Sequence, residues 1–216
     1  MTTASNDPMM LRLMTWLSPS FPIGAFAYSG GLETIAQGNM HGDLRDWLET
    51  LLTHGPLRND AILLTATLNG EDTDDNISAL ALAMATSEER HDELRDLGTS
   101  FQRAAAPWMP AWQHNPRPLA YPVAVGAIAR HHEMEPVPVL QAFLHAAIVN
   151  QMQVGQRVLP VGQNAAMITL AALEPHILHH AEQFAPLKLN DLGSAAFLMD
   201  HAALNHATLN SRIFRS

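Results

Sequence analysis

Apolar residues in this chain recur at helical spacing almost wherever they recur at all, and that period confines the fold to packed helices. Met10, Leu13, Met14 and Leu17 fall at i, i+3, i+4 and i+7, one stripe on one helix face. Ser18-Pro19 closes that helix, because the residue before a proline is pushed out of the helical region. A second helix is expected from Gly31 to Gly38. A third starts at Asp43 with Leu44, Trp47, Leu48, Leu51 and Leu52 inward, and Gly55-Pro56 breaks it. Leu57 to Leu68 reads as a fourth. Asn69 to Asn76 reads as a polar loop; its Asn-Gly pair is a hairpin signal, but helical flanks argue against a hairpin. Helices are expected at Ile77 to Thr86 and Glu88 to Ala106, the latter capped by Ser87 with Glu88 and Glu89 in its first turn. Pro107 to Pro118, with its prolines and two tryptophans, is expected to be irregular. Helices resume at Pro122 to His132, Pro138 to Met152, Val161 to Leu173, Pro175 to Phe184 and Ser194 to Leu204. Period-2 alternation is scarce. The expected fold is all-α: a single-domain multi-helix bundle over residues 1–216 with a C-terminal docking tail at about 205–216.

Charge is the unusual part of the composition. Only 15% of residues are charged, against about a quarter in ordinary globular chains. A surface short of charge presents apolar groups, and such patches mark interaction sites. The net charge is -9 and Lys188 is the only lysine, so nucleic acid is a poor partner and one with a basic face a better one. There is no cysteine, which excludes thiolate metal sites and cysteine nucleophiles and fits a reducing compartment. Met1 to Pro8 lacks a basic n-region, and no apolar run reaches the roughly 18 residues that span a bilayer, so a cytoplasmic protein without membrane contact is expected.

The densest local information lies in Leu17 to Glu33: two prolines, three glycines, three aromatics and one charge. Backbone punctuation threaded with large apolar side chains describes an ordered connection packed on the body. Tyr28 is either a core tyrosine or an interface aromatic; Glu33 either meets a nearby helix terminus or pairs with an arginine across a contact. Ser29-Gly30-Gly31 opens a helix and has the form of an anion-binding entry, though such an entry is more often just a tight turn. The tail Arg212-Ile213-Phe214-Arg215-Ser216 sets apolar residues between two arginines. Those arginines are solvated charges, bidentate contacts for a neighbour's carboxylates with Phe214 as anchor, or, least in keeping with a chain end, an arginine finger for a GTPase.

No catalytic constellation appears: neither a G-x-S-x-G elbow nor a phosphate-binding G-x-x-x-x-G-K-[ST] loop, and no acid–base pair stands out, so no enzyme is expected. Among twelve histidines, His176 and His180 share a helix face at i and i+4, a weak metal candidate without the glutamate of a zincin motif; His131 and His132 are adjacent and diverge.

Three motifs in order carry a resemblance. Pro22-Ile23-Gly24-Ala25-Phe26-Ala27-Tyr28-Ser29-Gly30-Gly31-Leu32-Glu33, Gly155-Gln156-Arg157-Val158-Leu159-Pro160-Val161-Gly162-Gln163 and Ser211-Arg212-Ile213-Phe214-Arg215-Ser216 resemble the signature segments of the urease accessory protein UreF family; Trp47 to Leu57 is similar too. His206-Ala207 and Asn210 depart from the family pattern, which often has His-Glu and a tyrosine there. The resemblance implies an all-helical homodimer without catalytic activity. It implies binding to UreD (UreH in some organisms), recruitment of the GTPase UreG, and nickel delivery to apo-urease, with nickel handled by the complex and no tightly bound cofactor. By that resemblance Tyr28 and Arg212, then Phe214 and Arg215, are assembly residues, with Glu33 beside them. Regulation of UreG GTP hydrolysis, as activator or checkpoint, and histidine-based nickel storage are the alternatives.

Overall fold

The computed structural model describes residues 8–38, 43–114 and 116–216; the reading of residues 1–7 lies outside them. Eleven α-helices follow in order among the described residues: α1 Pro8–Trp16, α2 Leu32–Gln37, α3 Leu44–Thr53, α4 Pro56–Asn69, α5 Asp74–Ala83, α6 Glu88–Ala105, α7 Ala111–His114, α8 Tyr121–His131, α9 Pro136–Val158, α10 Gln163–Phe184 and α11 Phe197–His206. Short 3-10 turns sit at Ala25–Ala27, Ala106–Trp108 and Leu189–Asp191. No strand occurs among the described residues, so the chain is all-α.

The middle of the bundle is α8 against α4. From Pro122 to Ala129 every residue of α8 is buried, which small side chains permit, since they let neighbouring backbones close in on all sides. In α4 the stretch Asp60 to Thr67 is buried as well. Around this pair, α6 covers α8, and the long helices α9 and α10 pack side by side. Aromatic rings meet at Phe101, with Phe21, Trp112 and Tyr121 all at centroid distances of 5.6 to 6.3 Å. Phe21 brings the segment after α1 onto the core, so that connection is ordered and packed.

The helix starts at Asp43 and Ser87 fall where read, and the structure adds that Asp43 is a cap. Asp43 caps α3 by accepting from the Arg45 N–H at 3.0 Å, and Ser87 caps α6 by accepting from Arg90 at 3.1 Å. Four expectations need correction. First, the polar loop is shorter than Asn69 to Asn76: α4 runs through Asn69, Gly70 turns left-handed, and the Thr73 hydroxyl caps α5 three residues early. Asp74 is therefore a buried first-turn carboxylate, bonded by Arg130 at 2.8 Å, where the sequence read a solvated loop. Second, Pro107 to Pro118 is not wholly irregular; it holds a 3-10 turn and the short α7. Third, α9 does not stop at Met152 but continues to Val158. Gly155 lets it approach α3: a Cβ there would stand 2.7 Å from the Leu44 methyls. Fourth, Val161 to Leu173 and Pro175 to Phe184 are one helix with Pro175 inside it. Burial of Leu173, Ile177 and Ala181 along its length outweighs the one hydrogen bond that proline removes.

Candidate functional site

The tail is not a loose end. Its backbone is laid beside the Ala27–Gly30 strip: Arg215 N–H donates to the Ala27 carbonyl at 2.7 Å, and Ser29 N–H to the Ser216 carbonyl at 2.8 Å. The Ser29 hydroxyl also donates to the Ser216 carbonyl, and Gly30 N–H to the Ser216 hydroxyl at 3.3 Å. Ser29-Gly30-Gly31, read from the sequence as a tight helix entry more than as an anion site, thus receives the chain's own tail. Gly30 and Gly31 both have positive φ, 61° and 90°. Gly31 is doubly constrained, since a Cβ there would lie 2.8 Å from the Ala203 backbone nitrogen of α11.

Glu33, in the first turn of α2, is the centre of the arrangement. Its side chain is fully buried. Oε1 accepts from the Ile213 N–H at 2.8 Å and Oε2 from the Phe214 N–H at 3.1 Å. Oε2 also lies 3.0 Å from His206 Nε2, at the end of α11. Burial works to raise the Glu33 pKa, but His206 and the two backbone donors outweigh it and hold the carboxyl below its ordinary value. The other ring nitrogen of His206 lies 3.1 Å from Glu89 Oε1 on α6, and Arg212 reaches the same oxygen at 3.5 Å.

A second contact locks the other side. Tyr28 is 3% exposed, and its hydroxyl donates to Asp96 of α6 at 3.4 Å. Burial raises the Tyr28 pKa; a hydrogen bond from Arg215 pulls the other way. Arg215 itself stands 3.8 Å from Asp96. Phe214 is 6% exposed and lies under the Arg157 guanidinium, which is also over the Phe26 ring, at 6.0 and 5.9 Å. All three sequence segments that carried the resemblance therefore converge on one corner of the molecule.

Tyr28, Glu33, Arg212, Phe214 and Arg215 come together here, but in different capacities. Glu33 and Phe214 point into the chain's own body, and Tyr28 is buried with them. Solvent sees Ile213 and Arg215, each 70% exposed, with Arg212 half-exposed. Glu89, Asp96 and His206 belong to the site and were not singled out from the sequence as site residues; nothing in their local pattern pointed to a contact more than a hundred positions away. His176 and His180 stand apart on α10, His180 stacked on Phe184 at 5.2 Å. Burial first, then His179 and His176, lower the His180 pKa. Among the described residues no group of three histidine or carboxylate side chains is arranged so that it could hold a metal ion.

A family model described as UreF matches residues 39–174. The chain belongs to the UreF family. Proteins named urease accessory protein UreF from Allorhizobium ampelinum, Rhizobium etli and Rhizobium johnstonii are similar along almost their whole lengths. The first is 40% identical over 230 residues, all of both chains. The second is 43% identical over 214 residues, 96% of each. The third is 42% identical over 223 residues, again all of both. These UreF-family relatives are named as accessory proteins of urease. In the UreF-family chain described here, no helix among the described residues is long and apolar enough to cross a membrane.

Proposed function

We propose that this chain is a non-catalytic adaptor of urease maturation. It binds UreD (UreH) and recruits the GTPase UreG, and so serves nickel insertion into apo-urease. In this reading it works in the cytoplasm as a single-domain homodimer, with nickel as cargo of the assembly and no tightly bound cofactor of its own. One observation carries the reading. Ile213 and Arg215 stand out in solvent while their backbone is fixed, at Ile213 by the buried Glu33 carboxylate and at Arg215 by the Ala27 carbonyl. An apolar and a cationic group held rigidly in water lose little conformational entropy on docking, which is what a recognition element needs. The low charge content fits a protein whose work is done at interfaces.

The test is co-expression with UreD and UreG, followed by sizing of whatever co-purifies. Recovery of a stoichiometric assembly supports the adaptor; a chain that elutes free of both partners refutes it. A second reading, regulation of UreG GTP hydrolysis, draws on the same Arg215. The sequence ranked an arginine finger low because chain ends are seldom rigid, and here the end is fixed at Ala27 and Glu33. GTP turnover in the full assembly with wild-type chain and with Arg215→Ala separates the two readings.

A further inference from the structure

A cavity of about 120 Å³ is lined by the Ser18 to Phe26 connection together with residues of α4, α6, α8 and α9. That space is several times what one water needs. Most of its wall is apolar, with Phe26, Leu57, Leu97 and Phe143 among the lining side chains. Among the described residues three charged side chains line it: Asp60, Arg90 and Glu93. Arg90 donates to Asp60 Oδ2 through Nη2, and to Glu93 Oε2 through Nη1 at 2.7 Å. The second oxygens, Asp60 Oδ1 and Glu93 Oε1, accept no hydrogen bond among the described residues. The three side chains are not sealed off, for each keeps between 12% and 19% of its surface exposed.

Two carboxylates against one guanidinium leave one negative charge in excess. Away from bulk water such a charge is costly unless it is paired, and the cavity beside it has room for the missing cation. Two further acceptors on wall residues are short of a donor: Asn150 Oδ1 and Gln151 Oε1 are buried without a hydrogen-bond partner. Burial first, then the charges of Asp60 and Glu93, raise the pKa of Tyr121, so its phenol is neutral and lies in the same negative field. Tyr121 and Phe143, with ring centroids 5.7 Å apart, add aromatic surface of the kind that attracts a cation. A metal ion suits this wall poorly. No third ligating side chain joins the two carboxylates, and Arg90 already takes one oxygen of each. Unmet acceptors on an apolar wall call for N–H donors carried on an apolar body.

We propose that this cavity binds a small primary alkylammonium ion. Its N–H groups serve Asp60, Glu93 and the side-chain carbonyls of Asn150 and Gln151, and its alkyl part lies against Leu57, Leu97 and Phe143. The site is interior and does not depend on the adaptor reading.

The test uses the full chain without partners. Its melting temperature is measured with propylammonium chloride, ammonium chloride or potassium chloride at equal ionic strength. At a concentration about tenfold above the dissociation constant, propylammonium is expected to raise the melting temperature by about 3 °C. Ammonium, which lacks the alkyl part, should raise it less, and potassium, a cation without N–H donors, should not raise it. Glu93→Gln removes the excess charge and is expected to abolish the propylammonium shift; Asp60→Asn serves the same purpose should Glu93→Gln fail to fold. Nuclear Overhauser contacts from the propylammonium methyl to the Tyr121 and Phe143 rings of the wild-type protein locate the site without a variant. No shift with propylammonium overturns the proposal, as does an equal shift with potassium, a folded Glu93→Gln chain that keeps the shift, or Overhauser contacts elsewhere on the protein. A larger shift with nickel chloride that Glu93→Gln removes would assign the cavity to a metal ion and overturn the alkylammonium. Each of these failures leaves the adaptor reading standing.

Discussion

The Phe214 amide donates to a carboxylate oxygen of Glu33 at 3.1 Å across 181 positions of chain, and the neighbouring Ile213 amide donates to the other oxygen at 2.8 Å. One buried side chain thus fixes the backbone at Ile213 and Phe214. That contrast, inward residues that seat the tail and outward residues that face solvent, separates the expected effects of substitution.

Glu33→Gln replaces one acceptor oxygen with an amide that faces a backbone donor and removes the charge opposite His206. Two charge-assisted hydrogen bonds are lost, so a destabilisation of about 2–3 kcal/mol is expected. Urea denaturation measures it, and loss of amide protection over Ser211–Ser216 locates it. Unchanged stability would show that Glu33 does not hold the tail.

Acid should release the same contact. The Glu33 pKa is lower folded than its ordinary 4.5, so its contribution is fully present above that value and disappears as pH falls through the depressed folded value. Exchange protection of Ile213 and Phe214 is expected to collapse at the acid end, and in Glu33→Gln this acid step should be missing.

Phe214→Ala and Arg215→Ala should behave in opposite ways although the residues are adjacent. Phe214 is 6% exposed and its truncation is expected to cost about 3 kcal/mol in a denaturation curve. Arg215 is 70% exposed, and its removal should cost no more than about 0.5 kcal/mol while lowering UreD capture in a pull-down. Full UreD capture by a folded Arg215→Ala, Ile213→Ala double variant would remove the tail from the interface.

Tyr28→Ala empties a site that is 3% exposed and should lower stability by about 3 kcal/mol. Tyr28→Phe keeps the ring and removes only the hydroxyl that meets Asp96. Urease activation in cells carrying Tyr28→Phe therefore reports on the hydroxyl itself: a defect with the melting temperature nearly kept assigns it a role in assembly, and full activity leaves the tyrosine as core.

Gly31→Ala meets two obstacles at once, a φ of 90° and a Cβ placed 2.8 Å from the Ala203 nitrogen. A loss of roughly 2 kcal/mol is expected, with α11 displaced from α2. A melting temperature equal to wild type would show that the α2–α11 contact is soft.

Local chemistry was legible. Helical period, the helix start at Asp43, the Ser87 cap and the Gly55-Pro56 break all describe interactions within about four residues, and those the sequence states directly. Pro175 was misread for the complementary reason. Alone it argues for a helix end, and only packing over Leu173, Ile177 and Ala181 keeps α10 continuous. Asp74 was misread likewise: its partner Arg130 lies 56 positions away.

The sequence by itself determined an all-helical chain with little surface charge, an apolar-basic tail and three segments that mark its family, because composition, short-range period and motif need no third dimension. Only the tertiary structure decided that Glu33 and Phe214 face inward while Arg215 faces out, and that His206, Glu89 and Asp96 belong to the same corner. Those relations join residues separated by up to 181 positions, and their energies depend on burial and charge pairing, quantities that exist only once the helices have packed.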